Sequence, residues 1–337
     1  MNRRPRLKNH VRALRRGPGS IQLGLSPDGG VVLDGLSDAE IALVERLDGS
    51  LDMPALYAAA AAAGITASRL SALMAALEQH QLLVELTTDR THVSPIDEPR
   101  HHLLSQDAHA VAAAYGLPGD GYCHVAARST QHVVITGEGG LPYALADLLR
   151  VGGIGRVSVG PNAVNMLDLE LRDQAAGAAG SRFGPILRQP DLVILVAMGA
   201  LPPDAGEPWL RRGIPHLPLV VQGHRVQIGP LISRGQGPCL ACLDLHRRDR
   251  DDAWPTLLAQ LAPGGPLLSQ TAVSLESSLT AMTAGAAAMI IHTRLDGQPV
   301  PCGLSLELSL PWPTIQLRRW FQHPLCGCLV EQATMTG

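Results

Sequence analysis

Four of the six cysteines stand in two close pairs, Cys239-Leu240-Ala241-Cys242 and Cys326-Gly327-Cys328. Two thiolates at such short spacing can point at one centre, and two pairs complete the tetrahedral shell that zinc prefers. Gly237-Pro238 before the first pair and Gly327 inside the second supply the turns that ligand loops need. Four thiolates leave no open coordination position, so the expectation is a structural Zn2+ rather than a catalytic one. A redox-active C-x-x-C or metal-free buried thiols are the alternatives, and two pairs fit the arithmetic of a metal site better than either. His246 and His323 lie near the pairs and are expected behind the ligands or at the surface. Cys123 and Cys302 stand alone and are expected as small core residues.

A second constellation could meet a phosphate. Gly137-Glu138-Gly139-Gly140 follows the apolar run Val133-Val134-Ile135-Thr136 and precedes a helical stretch, Tyr143 to Arg150. Glycines at a strand-turn-helix let backbone N–H groups approach an anion, and the helix dipole favours the charge. Gly137, Gly139 and Gly140 are therefore the candidate cofactor-binding residues, as a degenerate nucleotide turn. The sequence singles out no catalytic nucleophile, acid or base.

Periodicity indicates the elements that hold these groups. Arg156-Val157-Ser158-Val159 and Leu192-Val193-Ile194-Leu195-Val196 read as strands of a parallel sheet covered by helices. Nearer the N-terminus, Ile21 to Leu25 and Val31 to Leu33 flank a Gly-bearing loop and read as a β-hairpin. Ser37 with Glu40 forms a capping box ahead of Ile41, Leu43, Val44 and Leu47. A second helix covers Pro54 to Ala63. Thr66 caps a third carrying Leu70, Leu73, Met74 and Leu77, and Gln81 to Leu86 returns as a strand. This is the outline of a winged helix-turn-helix. Thr87 to Arg100 reads as a linker, and His109 to Leu117 as one more helix.

With 337 residues, 46% of them hydrophobic and only 3% aromatic, the chain has room for two domains with aliphatic cores. The net charge of -3 argues against a chain-wide attraction to nucleic acid or anionic membrane. Arg3, Arg4, Arg6, Lys8, Arg12, Arg15 and Arg16 precede the first acidic residue, Asp28, and are expected to form a solvated, partly frayed arm. The third helix offers only Arg69 as a strongly basic residue, short of the several contacts that a DNA-reading helix supplies, so nucleic acid is not an expected partner. No secretory signal is visible. The longest apolar stretch, Ala281 to Ile291, is shorter than the roughly 20 residues a bilayer needs, so no membrane is expected. A cytoplasmic setting follows, in which paired cysteines favour metal over disulfide.

Together, the glycine turn, the strand after it, the strand led by Pro190-Asp191 and the C-x-x-C…C-x-C pairs resemble the ThiF/MoeB-like adenylating fold, relatives of ubiquitin-activating enzymes, over about Gln131 to Val330. Gly237-Pro238-Cys239-Leu240-Ala241-Cys242-Leu243-Asp244-Leu245-His246, continuing through Asp249 and Trp254-Pro255, is similar to the ThiF-type partner proteins of azoline-forming (cyclodehydratase) peptide-modification clusters. The resemblance implies an N-terminal winged-helix module that binds the leader of a precursor peptide, a cyclodehydratase as partner, and a homodimer. It also implies ATP and Mg2+, but the residues depart from the family's nucleotide pocket. Pro142 takes the last place of the G-x-G-G-x-G turn and donates no N–H. The strand Val157-Ser158-Val159-Gly160-Pro161-Asn162 has no carboxylate for a ribose, and Ala197-Met198-Gly199-Ala200 replaces the acidic residue after the Leu192 strand. Lys8 is the only lysine and lies outside this region, while Arg172 and Arg182 lack the family's asparagine-arginine context. Adenylation depends on such charge-neutralising groups, so it is expected to be lost.

The expected fold is α/β, a Rossmann-like, mostly parallel sheet with a four-cysteine zinc site, preceded by a small winged-helix-like α+β domain. Residues 1–88 would be the peptide-recognition domain, 89–130 a linker and helical connection, and 131–337 the ThiF-like domain. A peptide would add as a strand beside the hairpin, with Ile21, Leu23, Val31 and Arg69 as candidate contacts. The expected function is a scaffold that presents a precursor peptide to a separate modifying enzyme. Two alternatives stand beside it: an ATP-dependent adenylyltransferase of a peptide or ubiquitin-like carrier C-terminus, and a winged-helix DNA-binding regulator.

Overall fold

The structure, a computed structural model, describes residues 3–8, 11–25, 30–87, 102–117, 119–160, 163, 189–261 and 275–328, the side chains of 85–87 excepted. The chain divides into two compact units, Met1–Ala127 and Arg128–Gly337.

In the first unit β1 (Arg3–Leu7), β2 (Ala13–Gly17), β3 (Ser20–Leu23), β4 (Val31–Asp34) and β5 (Leu83–Thr87) make two antiparallel sheets, β1-β5 and β2-β3-β4. Between β4 and β5 run α1 (Asp38–Glu45), α2 (Met53–Ala62) and α3 (Ala67–Gln79). Each starts where the sequence offers a cap. The Ser37 hydroxyl accepts from the Glu40 N–H while the Glu40 carboxylate accepts from the Ser37 N–H. Asp52 and Thr66 accept from the N–H groups of Ala55 and Arg69. Such caps contribute about 1 kcal/mol each. Leu70, Leu73, Met74 and Leu77 of α3 then close on Ile21 and Leu23 in one apolar cluster. α4 (Ser105–Ala114) and α5 (Tyr122–Ala127) complete the unit.

The basic start is not the solvated arm that its charge suggests. Much of it is built into β1 and β2, and four of its seven cations find acceptors inside the unit, while Arg12 and Arg16 are exposed. Arg3 pairs with Glu78, Arg15 pairs with Glu45, and Arg4 donates to the Ser50 carbonyl. Lys8 is buried with Nζ on the Leu117 carbonyl, and burial lowers its pKa.

The second unit strings together β6 (His132–Ile135), α6 (Gly140–Val151), β7 (Arg156–Val159), β8 (Leu192–Met198), α7 (Glu207–Arg211), β9 (His216–Gln222), β10 (Arg225–Ile228), α8 (Leu240–Arg248), α9 (Trp254–Leu261), α10 (Ser277–Leu295), β11 (Leu304–Ser309) and β12 (Thr314–Arg319). Its seven-stranded sheet runs β12-β11-β10-β9-β8-β6-β7. β7, β6, β8 and β9 are parallel, whereas β10, β11 and β12 join antiparallel. The sheet is thus mixed rather than mostly parallel. Parallel neighbours need long crossovers, and the short turns after β9 and β11 return the chain at once.

Strand alternation assigns the two faces. Val133 and Ile135 turn toward Leu141, Leu145 and Leu149 of α6 and Ala287 and Ile291 of α10. Val134 and Val193 turn the other way, toward Trp209, Leu240, Leu243 and three buried cysteines. The Ala281–Ile291 stretch lies inside α10, and no helix among the described residues is long and apolar enough to cross a membrane. Arg128 and Asp296, both buried, form a two-pronged ion pair, and Arg128 also donates to the Gly152 carbonyl at the end of α6.

Candidate functional site

The four paired cysteines converge on one point. Cys239 is the N-cap of α8 and Cys242 lies in its first turn, so one helical turn aims both sulfurs the same way. Cys326 and Cys328 arrive from the loop beyond β12. Sγ separations are 3.8 Å for Cys239–Cys242, 3.6 Å for Cys239–Cys326 and 3.4 Å for Cys242–Cys328, and all four sulfurs lie within 4.8 Å of one another. A tetrahedron with Zn–S bonds of about 2.3 Å has sulfur–sulfur edges of about 3.8 Å, so these residues can hold a metal ion and the set is compatible with zinc. The thiols already share protons unequally. The hydrogen bond from Cys239 and the backbone N–H of His323 draw the Cys242 thiol below its usual range, and the same Cys239–Cys242 bond raises Cys239. A lowered thiol pKa favours the thiolate form that a metal requires.

His323 organises the second pair. Its carbonyl accepts from the Cys326 N–H at 2.9 Å and its Nδ1 accepts from the Leu325 N–H at 3.1 Å. Nε2 must therefore carry the proton that it donates to Asp249 Oδ2 at 2.8 Å. His246 Nε2 faces the Phe321 carbonyl at 3.0 Å, where it too must donate. His246, Asp249 and His323 also lie close enough to suggest a second metal centre. Those hydrogen bonds commit the Nε2 atom of each histidine, so the trio braces the cysteine loops instead. Sequence reasoning placed His323 near the ligands but missed Asp249 as its partner. Cys123 and Cys302, expected in the core, are both exposed. Tyr122, Val125 and Ala126 occupy the inward side of α5, which turns Cys123 out, and Cys302 sits in the turn before β11.

The glycine turn keeps its shape. Gly137 (φ 94°) and Gly139 (φ 105°) adopt left-handed backbone, and Gly139 is the N-cap of α6. A Cβ on Gly137 would lie 3.1 Å from the Val196 carbonyl oxygen, and this close approach together with the positive φ favours glycine there independently of any ligand. Pro142 is buried in the first turn of α6. Past β8, the Gly199 N–H donates to Val221 O at 2.7 Å, Gln222 Nε2 donates to Gly199 O at 2.8 Å, and the Leu261 side chain packs over Gly199. Backbone and leucine thus close a strand end where a carboxylate was sought. Pro161, Asn162, Arg172 and Arg182 lie outside the described residues.

The peptide-contact candidates fall in one part of the first unit. Ile21 and Leu23, on the central strand β3, are fully buried, so their side chains form the floor of the sheet and not its surface. Val31, opposite Leu23, is half-buried on the outer strand β4. Arg69 bonds to the Gly35 carbonyl at 3.0 Å and pairs with Glu40, which places the start of α3 beside the end of β4. Neighbouring Val32, which the pattern did not single out, is 39% exposed.

No family model matches the chain, and no curated protein matches it. Solved structures do. Heterocyclase TruD superposes with a TM-score of 0.63 at 16% identity, covering 97% of this chain and 42% of that one. A heterocyclase in complex with substrate and cofactor gives 0.63 and 16%, covering 98% of this chain and 40% of that one. The microcin C7 biosynthetic enzyme MccB in complex with N-formylated MccA gives 0.59 at 13%, covering 96% and 99%. The chain thus shares the fold of heterocyclase TruD and of MccB, and spans about two-fifths of the length of the heterocyclases it matches.

Proposed function

We propose that the chain is a ThiF-like partner protein that binds a precursor peptide and presents it to a separate peptide-modifying enzyme such as a cyclodehydratase. The first unit is the winged-helix recognition module. The observation that carries this reading is the free edge of β4, which bonds to β3 on one side and to no other strand among the described residues. An extended peptide adds there as a fourth strand, its side chains meeting Val32 and the start of α3, and its backbone supplying most of the affinity. Ile21 and Leu23 support this strand from beneath. The shared fold with a heterocyclase and with an enzyme holding N-formylated MccA supports a peptide as the cargo.

The second unit serves as a docking platform and forms a homodimer. Cys239, Cys242, Cys326 and Cys328 hold a structural zinc ion, which ties the loop beyond β12 to the start of α8. Its glycine turn persists for packing, and adenylation is lost.

Hydrogen exchange with a candidate precursor peptide of a cyclodehydratase system tests the reading. Added peptide is expected to protect the Val31–Asp34 amides, and Val32→Asp is expected to weaken binding about tenfold, about 1.4 kcal/mol, with the melting temperature unchanged. Protection confined to the second unit, or full affinity in that variant, would refute it.

A further inference from the structure

Three arginines from two distant stretches gather on one indole. The guanidinium carbons of Arg318, Arg247 and Arg250 lie 4.3, 5.6 and 5.8 Å from the ring centroid of Trp320. Arg247 lies also 5.3 Å from the Trp254 ring. Trp320 itself is buried and fixed, its Nε1 donating to Ser305 Oγ at 2.9 Å. The carboxylates that act on Arg247 are committed elsewhere: Glu307 pairs with Arg318 at 3.1 Å, and Asp244 accepts from Trp254 Nε1 at 2.7 Å. Asp249, next to Arg250, is held by His323. Arg247 reaches Gln227 Oε1 at 3.2 Å, and the Arg250 side chain makes no hydrogen bond or ion pair with another described residue. Three guanidiniums thus share two carboxylates, Glu307 on Arg318 and Asp244 beside Arg247, which leaves an excess of positive charge.

The end of α8 explains part of this, because basic side chains complement a helix C-terminus. It does not explain why Arg318 of β12 joins them, since like charges brought together repel. Desolvation lowers the Arg247 pKa, and nearby Arg250 lowers it further. Each guanidinium is attracted to the negative face of the ring, which holds the cations in place without neutralising them. Planar forks with spare N–H donors suit phosphate and carboxylate oxygens.

We propose that Arg247, Arg250 and Arg318, arranged on Trp320, form a binding site for an oxoanion, a phosphate or a carboxylate group carried by a ligand or partner. The site uses no residue of β4 and no cysteine, although Trp320 packs in the same buried cluster as Cys239, Cys242 and Cys326.

The test follows the indole N–H resonances of the full chain during titration with inorganic phosphate, with acetate, and with chloride at matched ionic strength. Saturable shifts of Trp254 and Trp320 with phosphate or acetate but not chloride are expected, while Trp209 and Trp312 stay still. The arm that saturates at lower concentration identifies the group. Arg250→Gln, at an exposed position, should weaken binding at least tenfold, whereas Arg234→Gln should leave it intact. Equal shifts with chloride, no saturation with either oxoanion, or unchanged affinity in Arg250→Gln would overturn the proposal.

Discussion

The cysteine cluster and the glycine turn belong to the same unit, and both were visible as short motifs, but the fold treats them differently. At the cluster every motif residue arrives where its chemistry needs it, with four sulfurs within 4.8 Å of one another and a histidine bracing the loops. At the turn the glycines keep their backbone conformation, and among the described residues Leu261 packs on Gly199 past the end of β8. A Cβ on Gly137 would crowd the Val196 carbonyl, so packing favours glycine there independently of any ligand, whereas a cysteine quartet has little packing value that smaller residues could not supply.

The sharpest way to break this contrast is at the cluster. Cys242→Ser should abolish stoichiometric zinc by elemental analysis and remove the cooperative thermal transition of the second unit. Structural zinc contributes on the order of 10 kcal/mol to small domains, more than most folds can lose. Parent protein without stoichiometric zinc, or an unchanged transition in Cys242→Ser, would make the cluster a set of ordinary buried thiols.

A smaller effect is expected from acid. His216 is fully buried on β9, and burial lowers its pKa from 6.5 to about 4. Its stabilising contribution is complete above the unfolded value and disappears as the pH falls from about 6.5 toward 4, because the unfolded chain takes up the proton first. The loss reaches about 3 kcal/mol at 1.36 kcal/mol per unit. Denaturant melts across this range should show the decline, and His216→Leu should flatten it. His292, also lowered to about 4 by burial, leaves a residual slope of the same sign.

The smallest effects are expected at the turn. Gly137→Ala should cost about 1–3 kcal/mol of stability through its positive φ and the close carbonyl. Calorimetric titration with ATP and Mg2+ should give no micromolar binding to either protein. Magnesium-dependent binding that Gly137→Ala removes would restore the nucleotide reading and erase the contrast.

Much of this was legible in residue order. Ser37 with Glu40 and Thr66 marked helix starts through contacts spanning three residues, and the two cysteine pairs carried their ligand spacing openly. Other features were hidden. The strands at Arg3–Leu7 and Ala13–Gly17 read as a charged tail because their acceptors, Glu78 and Glu45, lie far along the chain. The antiparallel half of the sheet was missed although β11 alternates openly, Leu304, Leu306 and Leu308 with Ser305, Glu307 and Ser309. Residue order does not give its pairing with β10, which sets Ile228 opposite Leu306 only through the fold, and Ile315 and Leu317 of β12 remain exposed at the sheet edge.

The sequence by itself determined the elements whose cause is local, such as caps, turns, buried strand runs and the spacing within each cysteine pair. Only the tertiary structure brought residue 242 within 3.4 Å of residue 328, set Asp249 against His323 and gathered three arginines on Trp320. Local hydrogen bonding fixes a residue's own conformation, while the partner of a buried thiol or an unneutralised charge depends on which distant segments the sheet brings together.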